Sequence, residues 1–174
     1  MISKIDVMKY LITLILLLSF ETSKGQSLTL DQLVNLQMKD LEYVNEFHLN
    51  RGWRFDSSVV ETDDRMGRAV WAFGKSEFDT ERAVGWFNLI YSPGYESTIT
   101  YQIHNKNFYS LIKNRITALG MKLAASEILD DGLYSVYVGQ KYAVKIVSSS
   151  SSDEIVPKYI FTILPKSQYY NSLD

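Results

Sequence analysis

GWRFDSSVVETDDRMGRAVWAFG, residues 52–74, and GMKLAASEILDDGLYSVYVG, residues 120–139, run through the same order of residue types. Each opens on a Gly and continues apolar, basic, apolar: Trp53, Arg54, Phe55 in one, Met121, Lys122, Leu123 in the other. Each then passes through a polar strand to an acidic pair, Asp63-Asp64 or Asp130-Asp131, and resumes in an aromatic strand. A Gly directly after an amphipathic segment is a common left-handed helix stop. Short acidic side chains favour turns because they bond their own backbone. The two stretches therefore predict helix, strand, turn and strand, twice over.

Upstream of the first stretch, Thr29 and Gln32 form a Thr-x-x-Gln capping box. Leu30, Leu33, Val34, Leu41, Val44 and His48 fall near one face, which predicts one helix running to Gly52. Upstream of the second stretch, Phe108, Leu111, Ile112, Ile116 and Leu119 follow helical spacing and stop at Gly120. The aromatic strands RAVWAF (68–73) and LYSVYV (133–138) lead to AVGWFNLIYS (83–92) and YAVKIVSS (142–149). Alternating Ile99, Tyr101, Ile103 and Tyr159, Phe161, Ile163 supply a last strand to each half. The expected organisation is α+β, with two tandem α-β-β-β-β units at 26–104 and 105–165 and a C-terminal tail at 166–174. The links differ. GKSEFDTERA (74–83) is long, Gly139-Gln140-Lys141 suits a tight hairpin, and SSSSSDEIVP (148–157) reads as a polar low-complexity loop.

Residues 1–25 read as a signal peptide. Lys4 and Lys9 give a basic start, YLITLILLLSF (10–20) an apolar core, and Ser23 and Gly25 the small residues before a cut at Gln26. That core is too short to cross a bilayer, which takes about 20 residues; an uncleaved N-terminal anchor is the alternative reading. The leader contains no Cys, so it offers no site for an acylated-cysteine tether. It holds three of the 18 basic and two of the 20 acidic residues, so the remainder carries a net charge near −3. Nucleic acid is a poor partner for such a chain, because binding phosphate chains needs a basic stripe. With no Cys anywhere, an exported chain must fold on packing alone, which its length permits.

Acid-base chemistry near neutral pH usually falls to histidine, and the chain has two, His48 and His104. His48 sits where a cation suits a helix C-terminus, His104 at a strand-to-helix junction, and no nucleophile motif surrounds either. The Asp63-Asp64 and Asp130-Asp131 pairs lack the alternating oxygens and Gly of a Ca²⁺ loop and read as solvated turns. GKSEF lacks the second Gly and the Ser or Thr of a phosphate loop. No metal, cofactor or catalytic residue is expected. The unusual feature is aromatic content: 12 Tyr, all but Tyr10 beyond the leader, and three Trp. Tyr suits a half-wet sheet face, since the ring packs while the hydroxyl stays hydrated. Trp71, Trp86, Tyr134, Tyr137 and Tyr142 are the candidate binding surface; ordinary strand propensity is the competing explanation.

Both helices are expected on one face of a continuous or paired antiparallel sheet, with the other face partly aromatic. In outline this resembles tandem inhibitor proteins of the β-lactamase-inhibitor kind and TATA-binding-protein-like duplications. The resemblance is architectural, covers about 135 residues, brings no motif and no functional residue with it, and departs from the disulfide-bearing inhibitors in having no Cys. The leader ending in Gly25-Gln26 resembles those of exported Bacteroidota proteins without an assigned activity. The expected function is that of a non-catalytic binding or accessory protein of the cell envelope, periplasmic or secreted, contacting a protein partner through a sheet face or loops. The alternative is a carrier of a small apolar ligand held between helices and sheet, and an enzyme ranks last.

Overall fold

Strands β1 (Arg54–Val59), β2 (Gly67–Phe73), β3 (Gly85–Tyr91) and β4 (Thr98–Ile103) form one antiparallel meander. A second comprises β5 (Lys122–Leu129), β6 (Gly132–Val138), β7 (Tyr142–Ser149) and β8 (Lys158–Pro165). The two last strands pair with each other, Tyr101 opposite Phe161, so the chain builds a single sheet in the order β1-β2-β3-β4-β8-β7-β6-β5. Helices α1 (Leu30–Gln37), α2 (Leu41–Leu49), α3 (Lys106–Ala118) and α4 (Lys166–Asn171) complete an α+β fold. The computed structural model describes residues 27–77, 82–129, 132–149 and 157–173. The proposed leader and its cut, the Asp130-Asp131 pair, residues 78–81 of the first link and 150–156 of the serine-rich link lie outside the described residues.

Alternation divides the sheet into two faces. Ala69, Trp71, Phe87, Leu89, Ile99, Tyr101, Ile103, Val144, Ile146, Phe161 and Ile163 lie on one face and are buried beneath α1, α2 and α3 in one continuous core. Leu30, Leu33 and Leu36 of α1, Val44 of α2, and Ile112 and Ile116 of α3 close it. Trp71 Nε1 donates to Asn45 Oδ1 at 3.1 Å, tying α2 to β2. The Tyr101 hydroxyl accepts from the Leu28 amide at 3.2 Å, anchoring the approach to α1.

Both glycines of the opening stretches lie in the left-handed region, Gly52 at φ 79° and Gly120 at φ 66°. At both, the Gly amide bonds the carbonyl three residues back, of Leu49 or Thr117. The next amide, of Trp53 or Met121, bonds the carbonyl of His48 or Ile116. This double closure satisfies end carbonyls of a helix. Trp53 and Met121 both turn inward and are buried. A register shift then follows at the same offset, between Phe55 and Ser57 in β1 and between Leu123 and Ala125 in β5.

Three expectations need correction. The helix expected from Thr29 to Gly52 is two helices. The capping box at Thr29 forms as read, but the first helix ends at Gln37. Asp40 then caps a new one, its carboxylate accepting from the Tyr43 amide at 2.8 Å. An Asp side chain that can bond a nearby amide competes with helix continuation. On α3, Leu111 and Leu119, read as part of the apolar face, are exposed at 63% and 41%, and the buried stripe is narrower. The expected C-terminal tail contains α4. It covers part of the second sheet face, where Tyr169 packs with Val136, Ala143 and Leu164 in a smaller core, flanked by Tyr134 and Val138.

Candidate functional site

The five candidate aromatics do not form one surface. Trp71 is fully buried and stacks with His48, centroids 5.1 Å apart. Tyr137 and Tyr142 lie on the same helix-covered face, half-buried against the main core. A Lys113 Nζ donor reaches the Tyr109 hydroxyl beside them at 3.3 Å. Trp86 and Tyr134 lie on the second face. Sheet pairing places them at the ends of one row, Trp86, Gln102, Ile160, Val147 and Tyr134, which spans four strand intervals. That row is about 19 Å long. All its members are half-buried. Alternation along a strand says which residues share a face; which face the helices cover follows from chain connectivity.

His48 is the buried ionisable group sequence reading misplaced. It lies on the apolar side of α2 as its spacing indicates, but it is fully buried rather than a surface cation at a helix end. Phe47, Trp53, Trp71 and Phe87 surround its ring. Burial pushes its pKa down to about 4, against the raising effect of its bond to the Val44 carbonyl, and nearby Arg51 lowers it further. The ring is therefore neutral near pH 7. Nδ1 lies 2.8 Å from the Val44 oxygen and donates to it, and Nε2 has no partner among the described residues. Fully buried among aromatic rings, it is part of the core. His104 Nδ1 lies 3.2 Å from the Pro157 carbonyl at the strand-to-helix junction where it was expected.

The feature that sequence reading missed is an open groove of about 420 Å³ on the second face, between the link from β3 to β4 and α4. Ser92, Pro93, Gly94 and Tyr95 make the turn that shapes one wall. The Tyr95 amide bonds the Ser92 carbonyl at 3.2 Å and Gly94 has φ 79°, so Pro and Gly occupy the positions a type II turn assigns them. Tyr95 closes the turn at the groove's rim and is 74% exposed. Ile90, Thr98 and Pro165 form the floor, and Gln168 and Asn171 of α4 form the far wall. The buried Thr98 hydroxyl donates to Gln168 Oε1 at 2.8 Å, which commits the carboxamide oxygen and leaves its NH₂ to donate elsewhere. Glu96 is the single charged residue of the lining among the described residues. The Ser-Pro-Gly-Tyr signal was present in the sequence, but its partner wall depends on a helix read as a tail.

A smaller cleft of about 230 Å³ lies between the start of α1 and α3, lined by Leu28, Leu30, Phe108, Leu111 and Ile112. Arg115 pairs there with both oxygens of Asp31 at 2.9 to 3.2 Å. Among the described residues, no three His, Asp or Glu side chains gather to hold a metal ion, and no helix is long and apolar enough to cross a membrane. The chain matches no known family, no curated protein and no solved structure.

Proposed function

We propose that this chain is a non-catalytic binding protein of the cell envelope, exported by its leader and working outside the cytoplasm through the second face of its sheet. The observation that carries this reading is the open groove beside α4, whose lining combines the exposed Tyr95 ring, the Gln168 and Asn171 carboxamides, and Ile90, Thr98 and Pro165 between them. Binding sites commonly combine an apolar lining with a few placed polar groups. The basic, apolar and small-residue order of residues 1–25 supports export. The competing reading, a carrier with an apolar ligand between helices and sheet, has less room. Trp53, Trp71, Phe87, Tyr101 and Phe161 fill that interior.

Two measurements test the proposal. Intact mass of the protein isolated from its native envelope should begin at Gln26; a species retaining Met1 overturns cleavage. Immobilised protein should retain an envelope component that a Tyr95→Ala, Gln168→Ala double variant does not. Equal retention by both would move the binding function away from this groove.

A further inference from the structure

We propose that the groove between the Tyr95 turn and α4 takes a neutral carbohydrate, an inference that rests on the binding reading above and names its ligand class. Charge makes the first selection. Among the described residues the lining contains no Lys, Arg or His and one carboxylate, Glu96. Phosphate, sulfate and carboxylate ligands would meet a negative charge there with no cation to offset it. Enclosure makes the second. The groove is open, and its walls present the Ser92 and Ser167 hydroxyls and the Gln168 and Asn171 carboxamides. A purely apolar ligand would strip water from these groups without replacing their hydrogen bonds.

What remains is a ligand with polar edges and an apolar face, and a sugar ring has both. Its C–H face can lie on the exposed ring of Tyr95, as flat apolar surface does on aromatics. Its hydroxyls, each donor and acceptor, match the donors of Gln168 and Asn171 and the acceptor of Glu96. The Thr98 bond to Gln168 holds that carboxamide in one orientation before any ligand arrives, which lowers the cost of ordering it. The turn at Pro93 and Gly94 fixes the backbone that carries Tyr95 at the rim. A volume of about 420 Å³ lies in the range of small-molecule sites and accommodates a short oligosaccharide.

The test is an amide NMR titration of the purified ¹⁵N-labelled protein with neutral oligosaccharides, namely cellohexaose, maltohexaose, xylohexaose and chitohexaose, beside a neutral hydrophilic peptide. At least one sugar should shift the amides of Tyr95, Glu96, Gln168 and Asn171. Tyr95→Ala should weaken that sugar about tenfold or more, without lowering the melting temperature, because the ring is mostly solvent-exposed. Gln168→Glu, which replaces the NH₂ donor with a charge, should also weaken it. The proposal is overturned if no sugar shifts these amides, or if Tyr95→Ala binds as tightly as the native chain. Shifts of the same amides by the peptide alone would remove the carbohydrate and leave the binding reading standing. A groove silent to sugars and peptide, with retention of envelope components unchanged in the double variant, would remove both.

Discussion

His48 shows how one residue's surroundings change its meaning. Its fully buried ring is held in an aromatic cage with a folded pKa of about 4 against an ordinary 6.5. Between those two values the unfolded chain takes up a proton at this site and the folded chain does not. The contribution of neutral His48 to stability is therefore complete above pH 6.5 and falls as pH drops toward 4. The total loss is about 3 kcal/mol. Urea unfolding at neutral pH and near pH 4 should show this loss, and His48→Phe, which keeps a ring in the cage, should flatten the acid limb by most of it. An acid limb unchanged in the variant would assign the pH dependence to other groups. The sequence spacing placed His48 on the apolar face of its helix, and that much was legible. Its cage was not, because Trp53, Trp71 and Phe87 arrive from three separate places in the chain. The glycines were easier to read, since helix stop and strand start are local. Gly120 has open space where a Cβ would stand, so the cost of Gly120→Val comes from the positive φ alone. It should be about 1 kcal/mol or more by denaturant unfolding, with no change in m-value.

At the scale of elements, strands were more legible than helices. YAVKIVSS coincides with β7, and RAVWAF with all but the first residue of β2, because alternation of β-branched and aromatic residues is strong over these runs. The break at Met38, Lys39 and Asp40 was hidden because apolar residues continue at helical spacing across it. If Asp40 creates the second start, Asp40→Ala should cost about 1 kcal/mol and reduce amide protection first at Leu41, Glu42 and Tyr43. Helix α4 was hidden for a different reason. KSQYYN has no apolar period, and burial of its one inward ring, Tyr169, against Val136, Ala143 and Leu164 gives it a surface to rest on. Tyr169→Ala should lower stability by about 2 kcal/mol or more and abolish the far wall of the groove. A variant that keeps native groove amide shifts would show that α4 stands without Tyr169. The edge strands also explain their own sequences. β1 and β5 are exposed along most or all of their lengths and carry a register shift plus charges, Arg54 and Asp56 in one and Lys122 and Glu127 in the other. Bulges and charges on an open edge discourage pairing with another chain.

For the whole molecule, the question is whether 26–104 and 105–165 are independent units. The residues argue against it. Both meanders end in a central strand, β4 and β8, and each of those would be a bare edge without the other. Tyr101 of the first half packs its ring against Phe161 of the second, centroids 6.5 Å apart. Asp31 of α1 pairs with Arg115 of α3 across the two halves. The large core is one cluster that draws Trp71 and Phe87 from one side and Val144 and Ile163 from the other. A chain of half this length buries a smaller share of its surface, so each half alone would lose core and expose an apolar strand edge at once. Fragments divided between His104 and Asn105 should therefore show no cooperative thermal transition when separate. Mixed in equal amounts they should recover the native amide spectrum, because the β4 and β8 edges are complementary in register from Ile99 with Ile163 to Ile103 with Tyr159. A cooperative melt from either fragment alone would mean that the four-strand unit, and not the eight-strand sheet, is what folds.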